Sequence, residues 1–213
     1  LMEELVNYLV SAGYLKTPAI IEAFGKIDRA DFVPEDLKNR AYANEPLSIG
    51  HGQTISQPLV VAFMLELLEP KEGENVLEIG AGSGWQTALL AQLGCKVTAL
   101  ERISELRFMA EKNVAKRGFI ESGAANVLLS DGSRGYPENA PYDKIIAAAS
   151  ADKIPDVWKS ELKIGGRIVA PVGQSIVLID KTGADEFKTK EFFGYSFVPL
   201  VKDGAIDTKP ETP

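Results

Sequence analysis

The chain has 213 residues, 45% of them hydrophobic and 25% charged, enough for one sizeable core and too few for two fused enzymes. Its net charge of -7 repels phosphate backbones at long range, so nucleic acid is not an expected partner. With Cys95 the only cysteine and His51 the only histidine, a disulfide framework, a thiolate or His-ligated metal centre and a Cys-His couple have nothing to be built from, and a reducing cytoplasm is the expected compartment.

The first residues, Leu1-Met2-Glu3-Glu4, lack the basic n-region and long apolar stretch of a secretion signal, and no later run is long enough to span a bilayer, so no membrane role is expected. Leu5, Val6, Leu9 and Val10 recur at helical spacing until Gly13, and Thr17-Pro18 predicts a second helix over residues 19–27. Residues 29–52 are broken by Pro34, Pro46 and Gly50 and read as turns with a small hairpin. Ser56-Gln57-Pro58 looks like a third helix start, leading into residues 59–68. A polar, turn-forming stretch from Pro70 to Gly73 then separates two textures. We read residues 1–72 as a small helical and hairpin lobe that handles substrate, 73–202 as a nucleotide-cofactor domain, and 203–213 as a flexible tail.

From Asn75 onward, short β-rich runs (75–79, 96–100, 126–129, 144–147 and 167–171) alternate with helical segments (85–93, 103–117 and 154–162). That alternation predicts an α/β fold, a doubly wound, mostly parallel sheet covered on both faces. Residues 175–180 and 192–200, separated by the polar stretch 181–190, predict an antiparallel hairpin closing one edge.

The most informative stretch is Val76-Leu77-Glu78-Ile79-Gly80-Ala81-Gly82-Ser83-Gly84-Trp85. An apolar strand enters a loop with glycine at every second position and leaves as a helix, which lets a ligand approach bare backbone. Glu101 closes the next strand 19 residues beyond Gly82, where an acid can accept from both ribose hydroxyls of an adenosine cofactor. The dinucleotide fingerprint wants its third glycine at 85, but Trp85 is there and the glycine stands at 84. Glu78 suits a cofactor bearing cationic groups, as S-adenosylmethionine does; it also suits a structural carboxylate bonded to the loop's own amides. Asp131-Gly132 ends a further apolar strand at the same sheet edge, where Asp131 can accept from an adenine amino group.

These residues together resemble the class I S-adenosylmethionine-dependent methyltransferases over residues 75–171. The string Gly52-Gln53-Thr54-Ile55-Ser56-Gln57-Pro58 is narrower and resembles the signature of protein-L-isoaspartate O-methyltransferases, as do Arg29-x-x-Phe32-Val33-Pro34, Pro171-Val172-Gly173 and Phe197-Val198-Pro199-Leu200. The resemblance implies a Rossmann-like sheet with a switched order of the last strands. It implies methyl transfer from S-adenosyl-L-methionine to the free carboxyl of L-isoaspartyl residues in damaged proteins and peptides, opening a return to aspartate through a succinimide.

Carried over residue by residue, the resemblance makes Ser56 catalytic and puts Thr54, Ile55, Ser56 and Val198 in the substrate cleft. Cofactor contacts fall on Thr54, Ile55, Glu78, Gly80, Ala81, Gly82, Ser83 and Gly84, then on Glu101, Arg102, Asp131 and Gly132. No metal is implied, and a monomer is expected.

The chemistry agrees, because a carboxylate with a pKa of about 4 is already ionised at neutral pH and needs no general base. Read without the resemblance, Ser56 is equally a plain helix N-cap, and His51 a surface residue in a glycine-rich turn. Two other functions compete. Amino-directed nucleic-acid methylation calls for an Asp/Asn-Pro-Pro-aromatic loop where this chain has Ala147-Ala148-Ala149-Ser150; a non-catalytic cofactor-binding scaffold would not need the Ser56 string.

Overall fold

The computed structural model describes residues 1–201. Helices α1 (Met2–Ser11) and α2 (Pro18–Lys26) form where the apolar spacing predicts them, and α1 buries Leu5, Val6 and Leu9. The N-terminus of α2 is satisfied from a distance: the amides of Lys16 and Thr17 both donate to Glu66 Oε1 at 2.8 Å. A carboxylate there meets the positive end of the helix dipole. Glu66 belongs to α3 (Pro58–Leu68), an almost wholly apolar helix. Between α2 and α3 lie two 3-10 turns, Arg29–Phe32 and Glu35–Arg40, and an antiparallel hairpin of β1 (Leu47–Gly50) and β2 (Gln53–Ile55).

The main sheet has strands β3 (Asn75–Ile79), β4 (Lys96–Glu101), β5 (Ala125–Leu129), β6 (Tyr142–Ala147), β7 (Leu162–Val172), β8 (Ser175–Lys181) and β9 (Phe187–Phe193). Helices α4 (Trp85–Gln92), α5 (Ser104–Ala115) and α6 (Asp156–Glu161) connect them. The spatial order is β5-β4-β3-β6-β7-β8-β9. Neighbours from β5 to β7 are parallel; β7-β8 and β8-β9 are antiparallel. The chain winds outward from β3 to β5, then restarts at β6 on the other side of β3, so connections leave β3 and β6 in opposite directions and a crevice opens at their carboxyl ends.

One face of the sheet shares a continuous cluster of buried side chains with α1 to α5, from Leu5 through Leu65 and Trp85 to Leu178. The other face packs Tyr142, Ile145, Leu162 and Ile168 around Trp158 of α6.

One expectation is corrected. The last hairpin does not use residues 192–200 as its outer strand; β9 runs from Phe187 to Phe193, paired from Lys181↔Phe187 to Ser175↔Phe193. Its middle, Lys188-Thr189-Lys190-Glu191, is exposed at the sheet margin, where charged side chains block further pairing. Charge there hides a strand from any reading based on apolar runs. The residues after β9 form a strap across the carboxyl edge, tied by Ser150 N to Val198 O and Leu200 N to Ser150 O, both at 2.7 Å.

Candidate active site

The glycine loop follows from what surrounds it. Gly80, Gly82 and Gly84 have φ of 86°, 56° and 92°, a region side chains rarely adopt. A Cβ on Gly84 would stand 2.9 Å from Val114 Cγ2 and 3.0 Å from Ala110 O, so the third glycine lets α5 lie against the start of α4. This is why it stands at 84 and not at 85. Trp85 is buried instead, edge-on to Phe24 at 5.5 Å, with Nε1 donating to Ile27 O at 3.3 Å.

Two carboxylates flank the loop. Glu101 is 6% exposed; its Oε2 accepts from Gly82 N and its Oε1 from Ile103 N, each at 3.0 Å. Two backbone amides thus fix the carboxylate while each oxygen keeps a lone pair for a further donor. Glu78 is fully buried and accepts from Thr87 Oγ1 at 2.6 Å and Gln86 Nε2 at 3.1 Å. Its partners are therefore side chains of α4, not the loop amides that the structural reading of Glu78 invoked. Burial pushes its pKa from 4.5 to about 8, against the pull of those two bonds.

Three connected spaces open at this edge. One, about 630 Å³ counting space open to solvent, lies among Gly80, Glu101, Arg102, Ile103, Ser130, Gly132 and the strap residues Val198 to Val201. An inner cavity is lined by Ile55, Ser56, Glu78, Gly80, Ala81 and Ser83. An outer groove is lined by Pro46, Ser56, Gln57, Val60, Phe197 and Val198. Thr54 and Ala148 border all three, and Ser56 stands between the inner cavity and the outer groove.

Ser56 is not a helix cap. The N-cap of α3 is Gln57, and the first free amide, Leu59 N, donates to Asn44 Oδ1 at 3.0 Å. The Ser56 hydroxyl makes no hydrogen bond among the described residues, while its carbonyl accepts from Arg29 Nη2 at 3.0 Å.

Most residues expected at the site are gathered here. Gly82, Gly84 and Asp131 do not line these spaces; Asp131 Oδ1 accepts from Ser133 N at 2.9 Å as the cap of a 3-10 turn, and Ser130 and Gly132 form the cleft wall at that point. His51 is exposed at the tip of the β1-β2 hairpin with a φ of 53°. Cys95 is buried, its Sγ donating to Lys71 O at 3.4 Å. Reading the sequence missed Ala148, Ala149, Ile103 and Leu200. The alanines carried a signal, since two small residues after an apolar strand leave room above the sheet.

The site has the properties of an adenosine-cofactor pocket with a positively charged end. The Ser83 hydroxyl is buried without a partner among the described residues, a cost that a bound polar group would remove. The loop backbone borders the cleft at Gly80, and buried acids stand on both sides of it.

Comparison with known proteins agrees with this geometry. The family described as Protein-L-isoaspartate(D-aspartate) O-methyltransferase matches residues 2–205. A Protein-L-isoaspartate O-methyltransferase of Methanopyrus kandleri is 45% identical, over 99% of this chain and 95% of its own. Another, from Rhodopseudomonas palustris, is 42% identical over 98% and 86%. Among solved structures, a Plasmodium falciparum protein described as a putative protein-L-isoaspartate O-methyltransferase in complex with S-adenosyl-L-homocysteine shares the fold at a TM-score of 0.84, covering 94% of this chain and 98% of its own at 22% identity. A structure titled protein-L-isoaspartate O-methyltransferase superposes at 0.83 with 26% identity, covering 93% of this chain and 65% of its own. The chain therefore belongs to the protein-L-isoaspartate(D-aspartate) O-methyltransferase family.

Proposed function

We propose that this chain carries out its family's reaction, transfer of a methyl group from S-adenosyl-L-methionine to the free carboxyl of L-isoaspartyl residues in damaged proteins and peptides, with Ser56 as the residue that orients that carboxyl. The observation that carries the reading is the position of Ser56: a hydroxyl with no partner among the described residues, between a cavity lined by buried acid and a groove open to solvent.

The cofactor supplies a methyl made electrophilic by the sulfonium. Glu101, fixed by two amides, would accept from the ribose hydroxyls, and Gly132 and Ile103, which line the same space, would flank the adenine. Glu78 and Ser83 receive the polar amino-acid end in the inner cavity. Arg102, Ala81, Gly82, Gly84, Asp131, Thr54 and Ile55 complete the walls or hold them in shape.

On the substrate side, Ser56 donates one hydrogen bond to the carboxylate without giving up its proton. Thr54 and Val198, which line the groove, confine the chain that carries it. No base is required, since the nucleophile is ionised at neutral pH. A sparse donor set keeps it reactive, because strong ground-state binding of the anion would be lost in the transition state. Rate comes from holding nucleophile and methyl about 3 Å apart in a partly dried cleft.

In this reading, residues 1–72 furnish the substrate cover and the platform from 73 carries the cofactor; the expected tail, 203–213, lies outside the described residues. We read the enzyme as a cytoplasmic monomer. A lone buried Cys95 suits a reducing compartment, and the large exposed apolar side chains, such as Tyr8, Phe108, Ile164 and Phe193, are dispersed over separate elements. No helix among the described residues is long and apolar enough to cross a membrane.

The test is methyl labelling of matched isoaspartyl and aspartyl peptides. Label confined to the isoaspartyl peptide is the expected result, and equal labelling overturns the assignment. Ser56→Ala should lower kcat about 100-fold, with S-adenosylhomocysteine affinity within about threefold of wild type. A loss of cofactor affinity alone would remove Ser56 from the role given to it.

A further inference from the structure

Arg29 is fully buried and makes no ion pair among the described residues. Its guanidinium is spent on main-chain carbonyls instead. Nη1 donates to Ala41 O at 2.8 Å and Ala43 O at 3.2 Å; Nη2 donates to Glu45 O at 2.9 Å and Ser56 O at 3.0 Å. The group lies over the Trp85 ring, 5.4 Å from its centroid, at the first turn after the glycine loop.

Glu45 and Ser56 bracket the β1-β2 hairpin, so one rigid fork grips both feet of the element that carries Thr54 and Ile55. The body of that hairpin lies against the cofactor loop, with Ile49 Cδ1 3.4 Å from where a Gly82 Cβ would be. The same carbonyl-bearing loop closes from the other side: Asn44 O accepts from Gln57 Nε2 at 2.9 Å, and Asn44 Oδ1 from Leu59 N. Among the described residues the Ser56 hydroxyl has no bond of its own to hold it, so its location is inherited from this main chain.

We propose that Arg29 is a positioning residue for methyl transfer: by clamping the feet of the hairpin it sets the Ser56 main chain, and so the Ser56 hydroxyl, against the glycine loop. The inference rests on the reading of Ser56 given above. A guanidinium is suited to it because its planar fork presents donors in fixed directions to several carbonyls at once, whereas an ammonium is a single point on a flexible stem. Arg29→Lys keeps the charge and loses the fork.

The test is a double-mutant cycle of Arg29→Lys and Ser56→Ala, with kcat on an isoaspartyl peptide normalised to the number of S-adenosylhomocysteine-binding sites. Arg29→Lys should lower kcat about tenfold in the wild-type background and change it by less than about twofold once Ser56 is alanine, with cofactor affinity within about threefold throughout. An undiminished kcat per site, or the same tenfold loss in both backgrounds, overturns the proposal and leaves Arg29 a purely structural residue. A Ser56→Ala enzyme with wild-type turnover overturns the Ser56 reading itself, and is seen before the cycle is closed. Should Arg29→Lys fail to fold, Asn44→Ala frees the same segment at a half-buried site and is judged by the same two ratios, with additivity again fatal.

Discussion

Glu101 and Ser56 serve two edges of one cleft and are held by opposite means. Glu101 is fixed by amides 19 and 2 residues away in the chain, from Gly82 and Ile103. Ser56 is fixed by a guanidinium 27 residues back, and the helix after it by Asn44 across 15. The acid of the proposed cofactor edge is thus held within one strand-loop-helix-strand unit, although the wall around it also takes Ser130 and Gly132 after β5 and the strap residues from Val198. The substrate edge exists only after the hairpin, α3 and the strap have docked on that unit. Damage at the first edge should appear as lost cofactor binding; damage at the second should appear as lost turnover with binding intact.

The sharpest attempt to break this division is Glu101→Ala. It removes an anion that organises Gly82 and Ile103 and, in our reading, the ribose. Hydrogen bonds to a charged group are worth roughly 1.5–3 kcal/mol each, so loss of the two to the ribose should lower S-adenosylhomocysteine affinity by at least about 100-fold. Titration calorimetry reads this directly, and kcat at saturating cofactor should change by less than about tenfold. A variant that binds normally but turns over slowly would mean the two edges are not separable.

Glu78 offers a second handle, through pH. Its folded-state pKa of about 8 is raised above the usual 4.5 by burial, so the protonated acid favours the folded state. The stability it contributes is complete below about pH 4.5 and is lost as pH rises through about 8. Unfolding free energy should therefore fall between about pH 5 and pH 9, by an amount on the order of a few kcal/mol, and melting temperature should fall with it. Glu161 shifts in the same direction through burial, so the diagnostic is the difference from Glu78→Gln, which should show a shallower fall. Parallel curves for the two proteins would show that Glu78 is ionised in the folded state without cofactor.

This contrast also explains what could be read from the sequence. The glycine loop, Glu101 and the alternation of strands and helices are local patterns and fall close to where the spacing of residues 75–171 puts them, except that the helix expected over 154–162 is only Asp156–Glu161 and the strand expected from 167 already starts at Leu162. Ser56 was legible only as two readings, helix cap or site, because the cap is supplied by Asn44 from another loop. Arg29 stood in a quoted motif, but its partners are backbone carbonyls, which leave no mark on residue type. The strap was half legible: Val198 lies at the cleft as the resemblance implied, yet the strand expected over 192–200 ends at Phe193 because the charged edge of β9 is invisible to a search for apolar runs.

The mildest test separates two jobs within the glycine loop. Gly84→Ala must place a Cβ 2.9 Å from Val114 Cγ2 and 3.1 Å from Ala110 Cα at a φ of 92°, a combination of strain and overlap that should cost about 2 kcal/mol. For a chain of this size that is a fall of about 5 °C in Tm. Gly82→Ala meets only Ile49 Cδ1 at 3.4 Å, at a φ of 56°, so its stability cost should be nearer 1 kcal/mol. Yet in our reading Gly82 belongs to the cofactor loop, its N–H held by Glu101 Oε2, and its variant should bind S-adenosylhomocysteine about tenfold more weakly. Gly84→Ala, whose crowding is against α5, should bind nearly as wild type once folded. If instead Gly84→Ala lost affinity at an unchanged Tm, the third glycine would be serving the ligand and not the helix, and the account of its displacement from 85 to 84 would fail.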